Sequence, residues 1–184
     1  PNANGYDTYY MAFHDVMDES LGFNKDSVKV KVSDGTKDYY LTADEFKVVE
    51  NEDGETFKIE VEDMKAIIDR EFDQINDLKE NIYGQDITVE YNATLLDSAA
   101  KRTGRAGFEN KVRLEFSNDA DSDSKGDNGK GPTGYTPWDS VVCFTYQLDG
   151  IKVNNYNLEL QGAKFRLYSD KDCTEEVYVK ETDD

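Results

Sequence analysis

Histidine, cysteine and proline are the scarce residues of this chain: one His, two Cys and three Pro among 184 residues. A single His leaves little material for His-based acid–base catalysis or for a zinc site. Cys143 and Cys173 are too few for a disulfide framework. Cys143 sits in an apolar run and reads as a small, buried apolar residue. No run of about 20 apolar residues occurs, so no membrane-spanning helix is expected. No signal-peptide or lipidation pattern is read in these residues. Basic residues are also short, 21 against 40 acidic, for a net charge of −19. Such a surface repels nucleic acid and anionic membrane, and both are set aside as partners.

Aromatic residues, in contrast, are plentiful. With 12 Tyr, nine Phe and one Trp in a chain that is 37% hydrophobic, there is enough to build the core of one ordinary domain, or of one domain and part of another. The patterning is mostly that of strands. Residues 108–118 alternate, with Phe108, Val112, Leu114 and Phe116 on one parity and Lys111, Arg113 and Glu115 on the other, the mark of a half-buried strand. Residues 138–148 are apolar on both parities from Val141 to Phe144, which predicts a central strand beside the first. Alternating or short apolar segments also occur at 6–17, 28–32, 39–41, 46–49, 56–61, 87–95, 151–153, 163–168 and 176–179. Asp15 interrupts the first of these.

One segment changes period. Met64, Ile67, Ile68, Phe72, Ile75, Leu78 and Ile82 recur at spacings of three and four, predicting a helix over about 63–83 with one packing face. Between the two late strands lies an acidic, glycine-rich loop. Its Asp119, Asp121, Asp123 and Asp127 alternate as in a calcium loop, but Gly126 falls two places late for an EF-hand and no bidentate Glu follows. A solvated acidic linker is the expectation there, with bound Ca²⁺ as the weaker alternative and no other cofactor.

Three stretches read together carry a resemblance: Tyr9-Tyr10-Met11-Ala12-Phe13-His14-Asp15-Val16-Met17 with Gly22-Phe23, then Ile87-Thr88-Val89-Glu90-Tyr91-Asn92-Ala93-Thr94-Leu95, then Asn110 through Asn118. They resemble the isopeptide-forming D2 domain of sortase-assembled fimbrial (pilus) shaft subunits of Gram-positive bacteria. Phe144-Thr145-Tyr146, Ile151-Lys152-Val153 and Leu160-Gln161-Gly162-Ala163-Lys164-Phe165-Arg166-Leu167-Tyr168 follow in the order of the family's next, Cna-B-like domain. The resemblance implies a mostly β chain: an Ig-like sandwich over 1–148 with one inserted helix, its N-terminal strand or strands missing, then the incomplete opening of a Cna-B-like β domain over 149–184.

It also implies a chemistry. In this family a Lys amine and an Asn amide join with loss of ammonia, promoted by a buried acid. Burial lowers the lysine pKa so that free amine can attack, and raises that of the acid so that it can shuttle protons. Asp15 matches the acid. Asn118 is expected to supply the amide, because that end of its strand should lie near the start of the first strand; Asn110 is the alternative. The reacting Lys would precede Pro1. Lys152 matches the lysine of the following domain, whose acid and Asn would lie beyond Asp184. The implied partners are other pilus subunits, joined through sortase, and a host surface ligand; the implied location is the extracellular cell wall. The pilin lysine motif and the Leu-Pro-any-Thr-Gly sorting signal are absent from these residues.

Three function classes follow: a structural pilus subunit whose only chemistry is single-turnover self-cross-linking, a surface adhesin domain binding a host glycan or matrix protein, and a glycoside hydrolase. The last rests on carboxylate pairs that 40 acidic residues supply by chance. The first is the expectation.

Overall fold

A computed structural model describes residues 3–72, 83–104, 106–120 and 132–177. Its elements are β1 (Met11–Met17), β2 (Leu21–Ser33), β3 (Asp38–Tyr40), β4 (Lys47–Glu50), β5 (Phe57–Val61), α1 (Met64–Glu71), β6 (Asp86–Leu95), β7 (Phe108–Ser117), β8 (Thr133–Tyr135), β9 (Asp139–Cys143), β10 (Leu167–Tyr168) and β11 (Glu176–Val177). The chain is mostly β, as its alternation predicts.

One sheet runs β4-β5-β1-β7-β8, with β9 also paired to β7, and a second runs β3-β2-β6; every pairing is antiparallel. They face each other across a core in which Val30 and Val32 of β2 meet Phe57, Ile59 and Val61 of β5, all at most 1% exposed. Phe23 stacks on Phe57 with ring centres 3.7 Å apart, and Tyr91 meets Phe57 edge-on at 5.0 Å. On β2 the apolar parity is inside while Lys29 is exposed and Lys31 reaches Asp38, so this strand keeps the pattern read from its sequence. The turn before β5 places Asn51, Asp53 and Gly54 at φ 58°, 52° and 78°, the left-handed region that Asn, Asp and Gly tolerate best.

The helix is shorter than the periodicity predicts. Asp63 caps it by accepting from the Ala66 N–H at 3.1 Å, and helical bonding ends where the Phe72 N–H donates to the Ile68 carbonyl at 2.9 Å. Phe72 itself is extended. Met64, Ile67, Ile68 and Phe72 are buried as predicted; Ile75, Leu78 and Ile82 lie outside the described residues. The Asp63 carboxylate also accepts from the Tyr9 N–H at 3.1 Å and so ties the helix start to the approach into β1.

Two burial expectations fail. All five residues of β9 are exposed, Cys143 included. The strand pairs with β7 along one edge and no second layer covers it among the described residues. An apolar composition states a preference for burial; it does not supply the layer. On β7, Glu115 is completely buried while Val112 is 37% exposed, the reverse of the assignment by parity. Glu115 is held on that face by His14 of β1 and Thr133 of β8.

Replacing Ile59, which is wholly buried, with Ala should cost about 2–5 kcal/mol through lost transfer energy and a residual cavity. Val141→Ala, on a side chain 64% exposed, should change stability by less than about 0.5 kcal/mol. Urea denaturation midpoints for the two variants check the contrast.

Candidate functional site

Antiparallel pairing sets Asp15 opposite Val112 of β7 and Met17 opposite Asn110. Asp15 and Asn110 are therefore diagonal neighbours on the inner face of the sheet, within reach of each other's side chains. Tyr91, on β6, reaches them from the second sheet. Its hydroxyl donates to Asp15 Oδ2 at 2.8 Å, and the Asn110 Nδ2 amide donates both to the Tyr91 oxygen at 2.8 Å and to Asp15 Oδ2 at 3.2 Å. Asp15 is 1% exposed. Asp15 Oδ1 and Asn110 Oδ1 are buried with no hydrogen-bond partner, as are Thr8 Oγ1 and Arg113 Nε, a costly state for any polar atom.

Burial pushes the Asp15 carboxyl above the ordinary range; bonds from Tyr91 and Asn110 pull it down by less, and the nearby Glu55 charge adds to the rise. Burial also raises the Tyr91 phenol, reinforced by its bond to Asp15. Thus a carboxyl shifted toward its neutral form by burial lies against a primary amide in an apolar setting.

Asn118 lies elsewhere. It follows the last residue of β7, eight residues from Asn110, or roughly 25 Å of extended chain; it is exposed, and its N–H donates to the Pro132 carbonyl at 3.3 Å. That end of β7 does adjoin the start of β1, where the Ser117 N–H donates to the Tyr10 carbonyl at 3.0 Å. Asp15 is at the other end of β1, so the structure brings Asn110 to the acid and leaves Asn118 apart. Lys152 is exposed, and its carbonyl accepts from the Leu160 N–H at 2.8 Å. Asp119 is half-buried; Asp121, Asp123 and Asp127 lie outside the described residues. Among the described residues no three His, Cys, Asp or Glu side chains are arranged to hold a metal ion.

Beside this site the inner face is open. A groove of about 350 Å³ is lined by Tyr9, Met11, Phe13, Ile87, Leu114 and Phe116. Phe13 and Leu114 are paired directly across β1 and β7, one step along the same face from the Asp15–Val112 pair. The half-exposed Val112 continues the open strip toward Asn110.

Sequence reasoning missed a second cluster on the opposite face of β1. His14 is buried between two carboxylates, with Nδ1 2.6 Å from Glu55 and Nε2 3.0 Å from Glu115. Glu115 also accepts from the Thr133 hydroxyl of β8 at 2.6 Å, and Arg113 donates to Glu55 at 3.2 Å. The Arg113 guanidinium lies 4.4 Å from the centre of the Tyr135 ring and 4.6 Å from that of Trp138, stacking that closes the cluster over. A neutral imidazole can donate to one carboxylate only; a protonated one serves both. Burial acts to lower the His14 pKa, but the bonds to Glu115 and Glu55 outweigh it and the net shift is upward. For Glu115 burial acts to raise it, and the bonds from His14 and Thr133 carry it below the usual range. The chain's lone His next to an acid-rich face was the available signal, but nothing local showed which carboxylates would face it.

A scan against protein-family models found no match, and a search of curated proteins found none. Among solved structures the fold matches the T6 backbone pilin of serotype M6 Streptococcus pyogenes, with a TM-score of 0.47 and 19% identity, over 84% of this chain and 31% of that one. The chain thus spans about a third of that pilin's length, and so loose a match transfers no function. No helix among the described residues is long and apolar enough to cross a membrane.

The His14 contribution to stability should be complete below its unfolded pKa of 6.5 and be lost as pH rises through the higher folded value. Asp15, also raised, loses stability in the same direction. Glu115 acts oppositely: its contribution is present above 4.5 and is lost as pH falls through the lower folded value. Urea midpoints should therefore decline as pH rises above 6.5. His14→Gln should lower stability by roughly 3 kcal/mol or more, since it leaves two buried carboxylates facing each other, and should flatten that decline. An unchanged alkaline slope in the variant would refute the assignment.

Proposed function

We propose that this chain is part of a structural subunit of a cell-surface pilus, its sandwich locked by a single-turnover amide cross-link between Asn110 and a lysine upstream of Pro1. The observation that carries the reading is the buried Asp15 carboxyl hydrogen-bonded to the Asn110 amide. Such a pair serves no purpose in packing, since it leaves two buried oxygens unpaired. The family resemblance supplies the missing reactant, and the open groove beside the pair supplies a path for an extended segment to bring it in. None of the hydrogen bonds to Asp15 or Asn110 comes from a lysine among the described residues.

In the proposed step the neutral amine nitrogen attacks Cγ of Asn110 and forms the new C–N bond. Asp15 takes a proton from that nitrogen and passes a proton to Nδ2. The Cγ–Nδ2 bond then breaks with its electron pair on nitrogen, and ammonia leaves. Atoms and charge balance with no co-reactant, and Asp15 ends as it began. A covalent tie across the sandwich resists unzipping under load much as a disulfide does, and reductants cannot undo it. On this reading residues 1–148 are the locked domain, 149–184 begin a second domain with Lys152 as its reacting lysine, and sortase joins the subunit to its neighbours on an extracellular fibre.

Intact mass and a peptide map of the full-length parent protein test this. The mass should be lower by one ammonia for this link, with Asn110 tied to an upstream lysine. Asn110→Ala and Asp15→Ala should each abolish the deficit, and Asn118→Ala should keep it. An unmodified wild-type mass, or a deficit lost with Asn118 and kept without Asn110, would overturn the assignment.

A further inference from the structure

The two groups proposed to react stand on β1 and β7 of one sheet, yet a third group from the facing sheet touches both. Tyr91 donates its only hydroxyl proton to Asp15 Oδ2 and accepts one of the two Asn110 Nδ2 protons; the other goes to Asp15 Oδ2. Both protons of the nitrogen that would leave are thereby directed, and both free oxygens, Asp15 Oδ1 and Asn110 Oδ1, are left over for an incoming amine and for charge that develops on the amide. The Tyr91 ring is wedged edge-on against Phe57 at 5.0 Å and Phe23 at 5.7 Å, and those two rings are stacked on each other. A phenol used only to fill space would not need to place its oxygen between a carboxylate and an amide.

We infer that Tyr91 is the positioning residue of the Asp15–Asn110 pair, its hydroxyl fixing the orientation of the amide so that the leaving nitrogen, and not the carbonyl oxygen, faces the acid. This inference rests on the cross-linking reading given above. The physical effect is one of orientation: an amide free to rotate presents its two ends to Asp15 in turn, and only one of them accepts the proton that releases ammonia. Tyr91 also holds Asp15 less basic than burial alone would make it, since its bond is the larger of the two that oppose the rise, with the Glu55 charge acting the other way.

Tyr91→Phe separates orientation from packing, because the ring between Phe23 and Phe57 is kept. In the full-length parent protein the cross-link should still form, but about ten-fold or more slowly, the factor carried by one hydrogen bond to a charged group. The limb of the rate–pH profile set by Asp15 should move to higher pH, a change that loosened packing would not produce. In this chain, lysine donor or not, NMR should show the two Asn110 Nδ2 protons exchanging slowly with water, and faster in Tyr91→Phe. Unprotected Asn110 protons in the wild type, or a variant with the same rate and the same pH profile, would overturn the role of Tyr91 alone. A wild-type parent that never loses ammonia overturns the cross-linking reading itself.

Discussion

The pairing of β1 with β7 is the constraint on which the rest of the structure hangs. β1 lies at the centre of the larger sheet, bonded to β5 on one side and β7 on the other over almost its whole length. Because side chains alternate with period two, a slip of one residue in that register would exchange the faces of every residue on the strand. Asp15 would leave the inner face and His14 would enter it. The apolar residues Met11, Phe13 and Met17 on the same parity as Asp15 are what hold the register, since a slip would turn all of them outward.

Consecutive residues of one strand thus meet opposite electrostatic solutions. Asp15 faces the core, where a carboxyl is tolerated by moving toward its neutral form and by two hydrogen bonds from uncharged donors. His14 faces outward into a pocket closed by β8 and by the turn before β5, where bonds to two glutamates favour its charged form against the effect of burial. The first arrangement leaves a buried carboxyl hydrogen-bonded to an amide. The second gives a polar clamp that ties β1, β7, β8 and the β4–β5 turn together with charge-assisted bonds.

Several apolar side chains late in the described chain face outward: β9 and the segments around Ile151 and Phe165 are exposed, and among the described residues β10 and β11 pair only with each other. The inner face of β7 is open at Val112 and beside the groove that ends at Phe116 and Ile87. Both regions have the composition of interiors without the covering that interiors have.

Much of the architecture could be read from residues in order. Most strand positions, the buried parity of β2 and the apolar face of α1 follow from local periodicity, because a period of two or of three to four is a property of consecutive residues; β8, inside the stretch expected to be a loop, and the absence of strands at 151–153 and 163–166 do not. The acid at Asp15 was legible as a charge interrupting an apolar strand. What the sequence could not determine is which residues meet across strands. Asn110 and Asn118 stand at the two ends of the same strand and look equally suitable; only the register with β1 decides that Asn110 reaches Asp15. Only the facing sheet brings Tyr91 to both. Whether an apolar strand is buried, as β9 is not, or a glutamate is, as Glu115 is, depends on what covers it, and cover is supplied by chain distant in sequence.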